Sequence, residues 1–469
     1  MNSPSKIIAT EDLSMYTNLG IRTRTDNFTN WHKSGLFSHI DENFIKDIQQ
    51  YWMKHFGKEI DPYLHIASMN LTGEKDLRFI PQRIMHREIL PVFNDYDKSL
   101  FYGDKNLYDI VIDPPRSVEA VLRNINSQYF DTNHVSIDYE KACDILSNVD
   151  RDLIIKPSQT NNGTEIRKLS IIDKQIYLND KIVSLKDLEE IYEENFIIQK
   201  ALEQHPNMAA PHPNSINTLR MVTFRWKNEV RYLLTFVRFG SNNDIKDNGG
   251  DGNSPRLGVT DTGEFYQVGI SQNGEKFTHH PTTGFCFADL KPIPNFDEYK
   301  QFVIDCHKKI LHLNIASWDI VVGVDGKPIF LEVNFAGLTS FYQLVTQRPI
   351  FGDLTDEVLA YARKRLEKKE PVLMYRHRRR IAEREARKKD RQIEKNRKTI
   401  EELEKKNKKL IRQRRQLRKK INEQSEKQIR LNDQHKEKFK KLQQKYNKIK
   451  NSKSYRYTRP LRKIFKWFK

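Results

Sequence analysis

The chain has 469 residues, enough for about two to four structural units, and its 37% hydrophobic and 10% aromatic content supports a sizeable core. The formal charge of +19 is uneven: residues 376–469 hold 38 Lys and Arg against 11 Asp and Glu, a net of +27, which leaves residues 1–375 at −8. That split excludes a uniformly basic nucleic-acid-binding body and describes a mildly acidic body with a basic tail.

The three cysteines, Cys143, Cys286 and Cys306, match no zinc or redox spacing and are too few for a disulfide framework. The N-terminal residues lack the apolar core of a secretory signal. No run approaches the roughly 18 apolar residues of a membrane span. A cytoplasmic protein is expected.

Residues 1–97 read as a helical, mixed region. Within it Asp41–Phe56 has an acidic start and apolar residues near helical spacing. Ser99–Ile112 reads as a short α/β-like patch, and Ser117–Asn124 as a helix after Pro114–Pro115. A helix at Tyr139–Val149 precedes a strand at Asp152–Pro157 and the polar loop SQTNNGTE. A hairpin in IRKLSIIDKQIYLND, a helix at Ser184–Glu194 and a strand at Asn195–Lys200 follow. Strands then dominate, at Thr218–Trp226, Val230–Phe239 and Gly263–Gly269. The helix Phe296–Leu313 leads into a hairpin at Asp319–Asn334. This is an α+β or α/β body without a fixed-period repeat.

Beyond Pro371 the composition changes. No Gly or Pro occurs from Arg376 to about Lys450. Ile393, Ile400, Ile421, Leu442 and Ile449 share one heptad position; Leu403, Leu410, Leu417 and Leu431 share its partner. That spacing predicts a basic coiled coil over 376–451. Asn407, Arg414, Gln424, Gln428 and His435 interrupt the seam, and a solvated single helix is the alternative. In residues 452–469, Ile464, Phe465, Trp467 and Phe468 alternate with basic residues, which suits an anionic membrane interface; a disordered basic tail is the alternative. Lys and Arg surround the long helix rather than lining one face, and no base-reading module is present, so nucleic acid is not an expected partner.

The sequence WDIVVGVDGKPIFLEVN places two β-rich runs around Asp325–Gly326, a two-residue hairpin signal. A two-residue turn sets Val324 against Lys327 and hence Asp319 opposite Glu332, with Asn334 on the same face. Two carboxylates directly opposite each other are destabilising unless a cation intervenes, and hard oxygen ligands suit Mg2+ completed by phosphate oxygens and water. Upstream, Lys156 ends an apolar strand before the polar loop, where an ammonium meets a phosphate; the GxxxxGK[ST] loop is absent. The strand end FIIQKAL offers backbone groups to an adenine. Arg220 and Arg225 are five apart on one strand and point to opposite faces, so one of them, Arg220, is expected at the site.

IIKPSQTNNGTEI (154–166), FIIQKALEQHP (196–206), NSINTLRMVTFR (214–225), HPTTGF (280–285) and SWDIVVGVDGKPIFLEVNFAG (317–337) together resemble the ATP-grasp superfamily, in its sugar-transfer-associated branch related to α-L-glutamate ligases. The resemblance runs from about Lys98 to Leu354. It implies an α+β ATP-grasp fold of two α/β subdomains clasping ATP over 98–375, followed by the long basic coiled-coil helix. It also implies Lys156 and Lys105 on ATP phosphates, Gln199, Lys200 and Leu202 bordering the adenine, and Arg220 stabilising the transferred phosphate. Asp319, Glu332 and Asn334 would hold one or two Mg2+, or Mn2+ in its place.

The chemistry so implied is ATP-dependent joining of a carboxylate and an amine through an acyl-phosphate, in bacterial cell-surface polysaccharide assembly. Its partners would be small or sugar-linked carboxylates and amines, a coiled-coil mate, and the inner face of the cytoplasmic membrane. A kinase that stops at phosphoryl transfer, or a tethering protein with a degenerate body, are the alternatives; the intact Asp319, Glu332 and Asn334 set argues against degeneracy.

Overall fold

Runs of β-branched and aromatic residues, buried on both faces, set the two sheets of the body. The structure, a computed structural model, describes residues 13–159, 165–242, 254–368 and 372–458. The first sheet is built from β1 (Ala120–Ile125), β2 (Gln128–Phe130), β3 (Ser136–Ile137), β4 (Leu153–Pro157), β5 (Arg167–Ile172), β6 (Gln175–Leu178), β7 (Lys181–Val183) and β8 (Phe196–Lys200). Their spatial order is β3-β2-β1-β8-β4-β5-β6-β7, with every pairing antiparallel. Helices Tyr139–Ser147 and Leu185–Tyr192 cover it, burying Ala142, Leu146, Leu185 and Leu188 against Leu153, Ile155 and Ile198. A capping box between Ser184 and Asp187 starts the second of these helices.

The second sheet contains β9 (Thr218–Trp226), β10 (Glu229–Arg238), β11 (Arg256–Val259), β12 (Gly269–Ile270), β13 (Lys276–Phe277), β14 (Ile315–Val322) and β15 (Pro328–Asn334). Its order is β13-β12-β11-β10-β9-β14-β15, again antiparallel throughout. One face packs on helix Phe296–Lys308 through Tyr299, Val303 and Cys306. The other end shares a core with the N-terminal helices, where Trp31, Trp52 and Ile66 join Phe224, Phe236 and Val358. The described residues before Asn94 are all helix and loop, and their core is continuous with the second sheet.

Three expectations give way. Ser99–Ile112 contains only helical turns, Tyr96–Tyr102, Lys105–Leu107 and Tyr108–Val111. The residues read as a helix from Ser117 form β1 instead, because Val121 and Leu122 are buried between β2 and β8; the helix-favouring run Glu119–Arg123 yields to tertiary pairing. Gly263–Gly269 is mostly turn, with a strand only at Gly269–Ile270, and the strand β11 was not anticipated. Polar, turn-rich composition hides such short strands, whose pairing is fixed by their neighbours.

The chain divides into two units, Met1–Arg378 and Arg379–Lys469. The helix Val372–Asn451 crosses that division, and its side chains are exposed from Ala386 onward. The apolar heptad residues Ile393, Ile400, Leu403 and Leu410 are each more than half exposed along it. A short helix, Lys453–Tyr457, follows, and residues 459–469, with most of the predicted amphipathic tail, lie outside the described residues. Among the described residues no helix is long and apolar enough to cross a membrane.

Two buried imidazoles make the body acid-sensitive. His307 bridges Thr223 Oγ1 (2.6 Å from Nδ1) and the Leu313 carbonyl (2.8 Å from Nε2), and His65 meets the Leu77 carbonyl. Burial pulls both down to about 4. The unfolded rings protonate near 6.5, so stability is full above that value and falls as pH drops from about 6.5 to 4, by about 3 kcal/mol for each ring. Urea midpoints at pH 7.5, 6 and 5 should fall in that order, with a shallower fall in the His65→Gln/His307→Gln variant. Equal midpoints across the range would refute the assignment.

Candidate functional site

The two sheets face each other across a cavity of about 350 Å3, a size typical of small-ligand sites. Three consecutive strand pairings of the second sheet generate its charged floor. Glu332 on β15 pairs with Asp319 on β14, Asp319 with Arg220 on β9, and Arg220 with Phe236 on β10. Residues two apart on a strand share a face, so Thr218 and Arg238 join the same surface, as does Asn334. The first sheet contributes Lys156 and Ile154 from β4 and Gln199 and Lys200 from β8.

Asp319 is fully buried, and Arg220 grips both of its oxygens with one edge of the guanidinium: Nε lies 2.5 Å from Oδ1 and Nη2 donates to Oδ2 at 3.0 Å. Arg238 Nη2 donates to the same Oδ2 at 3.2 Å. Tyr342, from the helix Ser340–Val345, accepts a bond from Arg220 Nη1 at 2.6 Å. Like charges facing each other across the hairpin therefore need no metal to coexist. Arginines on β9 and β10, Arg220 and Arg238, neutralise Asp319.

Glu332 has its own cations. Lys105 Nζ lies 3.8 Å from Glu332 Oε2, and Asn334 Nδ2 donates to Oε1 at 3.2 Å. Burial opposes ionisation of Glu332, but the ammonium groups of Lys105 and Lys156, with the neighbouring Asp319 carboxyl and Arg220, bring it down to about 2. Burial lowers Lys156 to about 8, assisted by the like charge of Lys105 and opposed by Glu332. Lys105 is buried on the turn Lys105–Leu107, whose entry is capped by Asp104; its backbone N–H donates to the Ser158 carbonyl, tying it to the end of β4.

Part of the cavity lining is apolar. Val118, Ile154, Ile166, Leu202, Ile216 and Leu331 line it. Lys200 Nζ is paired with Glu119 at 2.6 Å, and the Gln199 side chain donates to the Val118 carbonyl at 3.4 Å. An apolar lining joined to a cluster of cations can take a flat heteroaromatic ring on the one and an anion on the other.

Of the residues singled out in the sequence, Lys156, Gln199, Lys200, Leu202, Arg220, Asp319, Glu332 and Asn334 all line this one cavity. Lys105 stands behind it, in a smaller crevice with Asp109, Arg123 and Gln199, and reaches the cavity through Glu332. Arg225 points away, its guanidinium bonded to the His307 and Ile310 carbonyls. Residues 160–164 of the polar loop after Lys156 lie outside the described residues. His280 is structural in its contacts, with Nε2 at 2.9 Å from the Gly240 carbonyl.

The hairpin register arises differently from expectation. Gly323 pairs with Lys327 around a three-residue turn in which Gly326 adopts φ 74°. That turn shifts the pairing by one, so Ile320 opposes Phe330; a bulge at Leu331 then restores Asp319 opposite Glu332. Two offsets cancel, and the bulge turns Leu331 into the cavity beside Glu332.

Arg238, Arg256, Phe341 and Tyr342 also line the site and were missed. Arg238 had a signal, lying two residues from Phe236 on an anticipated strand. Arg256 sits on an unanticipated strand, and Tyr342 arrives from a segment after the hairpin that carries no motif.

Among the described residues no three His, Cys, Asp or Glu side chains cluster as metal ligands. The hairpin instead offers two carboxylates and one amide, an all-oxygen donor set that fits a hard divalent cation.

The sugar-transfer associated ATP-grasp family model matches residues 85–357. No curated protein matches the chain. Among solved structures, the chain is similar to D-alanine–D-alanine ligase from Bacillus anthracis at 13% identity, covering 57% of this chain and 69% of that one with a TM-score of 0.30. It is similar to the ATP-grasp ligase PsnB complexed with minimal precursor at 14% identity, covering 57% and 64% with a TM-score of 0.32. With PsnB complexed with minimal precursor, Mg and ADP, identity is 15% and the coverage is 56% and 59%, at a TM-score of 0.30. The match thus spans less than two thirds of PsnB's own length.

The buried pair separates structural from ligand-binding roles. Asp319→Asn leaves Arg220 and Arg238 facing a neutral amide, and should cost about 3–5 kcal/mol of stability without any ligand present. Urea denaturation of the purified protein measures this. A loss below about 1 kcal/mol would show that the arginines do not depend on Asp319.

Proposed function

The chain belongs to the sugar-transfer associated ATP-grasp family, and from that premise we propose that it is an ATP- and Mg2+-dependent ligase joining a carboxylate to an amine. The observation that carries this reading is the mixed lining of the cavity between the sheets. Its apolar residues, with Val118, Ile154 and Leu202, suit an adenine, and its charged and polar residues gather Lys156, Arg220, Glu332 and Asn334.

Lys156 is fixed at the end of β4 and would contact the phosphates; binding an anion there raises its affinity for its proton above the present value near 8. Glu332 is already ionised, and with Asn334 it presents oxygen donors to the cavity. Asp319 can share an oxygen only while still held by Arg220, so Glu332 and Asn334 carry more of any metal than Asp319 does. Mg2+ bound there would neutralise phosphate charge and align the γ-phosphoryl group.

Arg220 is held rigid by Asp319 and Tyr342, which leaves its guanidinium preorganised for charge developing on the transferred phosphoryl group. A carboxylate is a poor electrophile. Transfer of the γ-phosphoryl group to its oxygen gives an acyl-phosphate and ADP. Attack of an amine on the acyl carbon then expels phosphate as the amine loses a proton. The protein's share is positioning, charge neutralisation and exclusion of water by the two sheets. The sugar-transfer description of the family supports a substrate in cell-surface glycan assembly.

Glu332→Gln removes the most accessible anionic donor while leaving the Asp319–Arg220 pair intact. Magnesium-dependent ATP binding, measured by calorimetry, should weaken at least about tenfold, with ATP turnover lost. Wild-type affinity and turnover in that variant would overturn the metal assignment. ADP formation that requires both a carboxylate and an amine supports ligation; ADP formation with carboxylate alone and a stable phosphorylated product supports a kinase.

A further inference from the structure

We propose that the helix after Arg378 is one strand of an in-register parallel coiled coil whose partner is a second copy of this chain. The segment Ile393–Ile421 is a helix whose side chains are exposed along its whole length. It spans about 40 Å at the helical rise. Ile393, Ile400 and Ile421 occupy the first seam position, and Leu403, Leu410 and Leu417 the second, each more than half exposed. A stripe of six large aliphatic residues on one face of a highly charged helix favours a partner that covers it.

The polar positions of the seam choose the occupant and its direction. In a parallel, in-register pair every residue of the seam meets its own copy. Asn396 and Asn407 then form amide–amide layers that bond to each other. The two antiparallel alignments with the longest overlap of the seam, over 393–417 and 396–421, put Asn407 against Leu403 or Leu410 and leave a buried amide without a partner; the one that sets Asn407 against Asn396 covers only 393–410 and leaves Leu417 and Ile421 without an aliphatic mate. Arg414 is the one charged seam residue, and its long stem can lie in the interface while the guanidinium reaches water.

The flanking positions agree. Across a parallel seam Gln392 faces Arg397, Thr399 faces Glu404, Lys406 faces Ile411, Gln413 faces Arg418 and Lys420 faces Ser425. None of these pairs sets like charges together. Of the 13 Lys and Arg residues in 393–421, eight lie at positions away from the seam and its flanks. Charge there is separated by the width of two helices and screened over a Debye length of about 8 Å. The basic surface is then an outer surface of the rod.

The full-length protein tests this directly. Light scattering should give twice the 55.6 kDa chain mass, and Leu403→Glu/Leu410→Glu should return it to one chain mass with an unchanged thermal transition for the body. In the parallel pair Leu403 meets its own copy, so Leu403→Cys should form a disulfide-linked dimer on mild oxidation, absent in the wild type. Mixing Asn407→Cys with Leu403→Cys, with Leu410→Cys or with Asn396→Cys separates the arrangements, because Asn407 meets one of those positions in each antiparallel alignment. A monomeric wild type, or a mixed disulfide in preference to the Leu403→Cys homodimer, overturns the proposal. These readouts do not involve nucleotide, so they stand or fall apart from the ligase reading.

Discussion

The Asp319 carboxylate, fully buried on β14 of the second sheet and gripped by Arg220 from the adjacent strand, is the interaction on which the site depends. A buried carboxylate is costly unless fully paired. Here the pairing is set by strand register, with Asp319 directly opposite Arg220 and Glu332 on its two flanks. Any slip of β9, β14 or β15 by one residue would turn these groups to the opposite, apolar face. The charged row therefore specifies the register as firmly as the hydrophobic pattern does, and the charged floor and the core select the same alignment.

That arrangement also divides labour between the two carboxylates. Asp319 is committed to the protein's own arginines. Glu332, held ionised by two lysines on the opposing side, faces the cavity and is the group that can respond to a cation or a phosphate. Lys156 and Lys105 stand close enough to depress Lys156. Their mutual repulsion is relieved by Glu332 and would be relieved further by an anion. The site is thus built with its cations crowded and its anions shared, a preorganised environment for a polyanionic ligand.

Much of this was legible in the sequence, for identifiable reasons. Strands such as Thr218–Trp226 and Phe196–Lys200 are buried on both faces and are rich in apolar, β-branched and aromatic residues without Gly or Pro, so composition alone marks them. The opposition of Asp319 and Glu332 was reached from the turn, yet the turn has three residues and a bulge at Leu331 compensates. The endpoint agrees because the extra turn residue and the bulge cancel; the path was not legible, because both strands are buried on both faces and a bulge leaves no break in alternation to read. Val118 was hidden in a run that propensity assigns to helix. Tyr342 reaches Arg220 from a segment whose placement depends on the whole second sheet.

The N-terminal helices share this dependence, although they contribute no residue singled out in the sequence. Ser340 Oγ accepts from the Gln82 backbone N–H and meets the Tyr63 hydroxyl, and His86 is 2.6 Å from the Leu338 carbonyl. These contacts fix the segment from Gly337 to Tyr342, which forms one wall of the cavity and delivers the hydroxyl that accepts from Arg220. Trp31 Nε1 likewise holds the Gln272 carbonyl, and the Gln272 side chain lines the same wall. A helical region that reads as a separate preface in the sequence is therefore part of the site's scaffold. It clamps the wall opposite the lysines, so that Arg220 is braced by Asp319 from within the sheet and by Tyr342 from outside it.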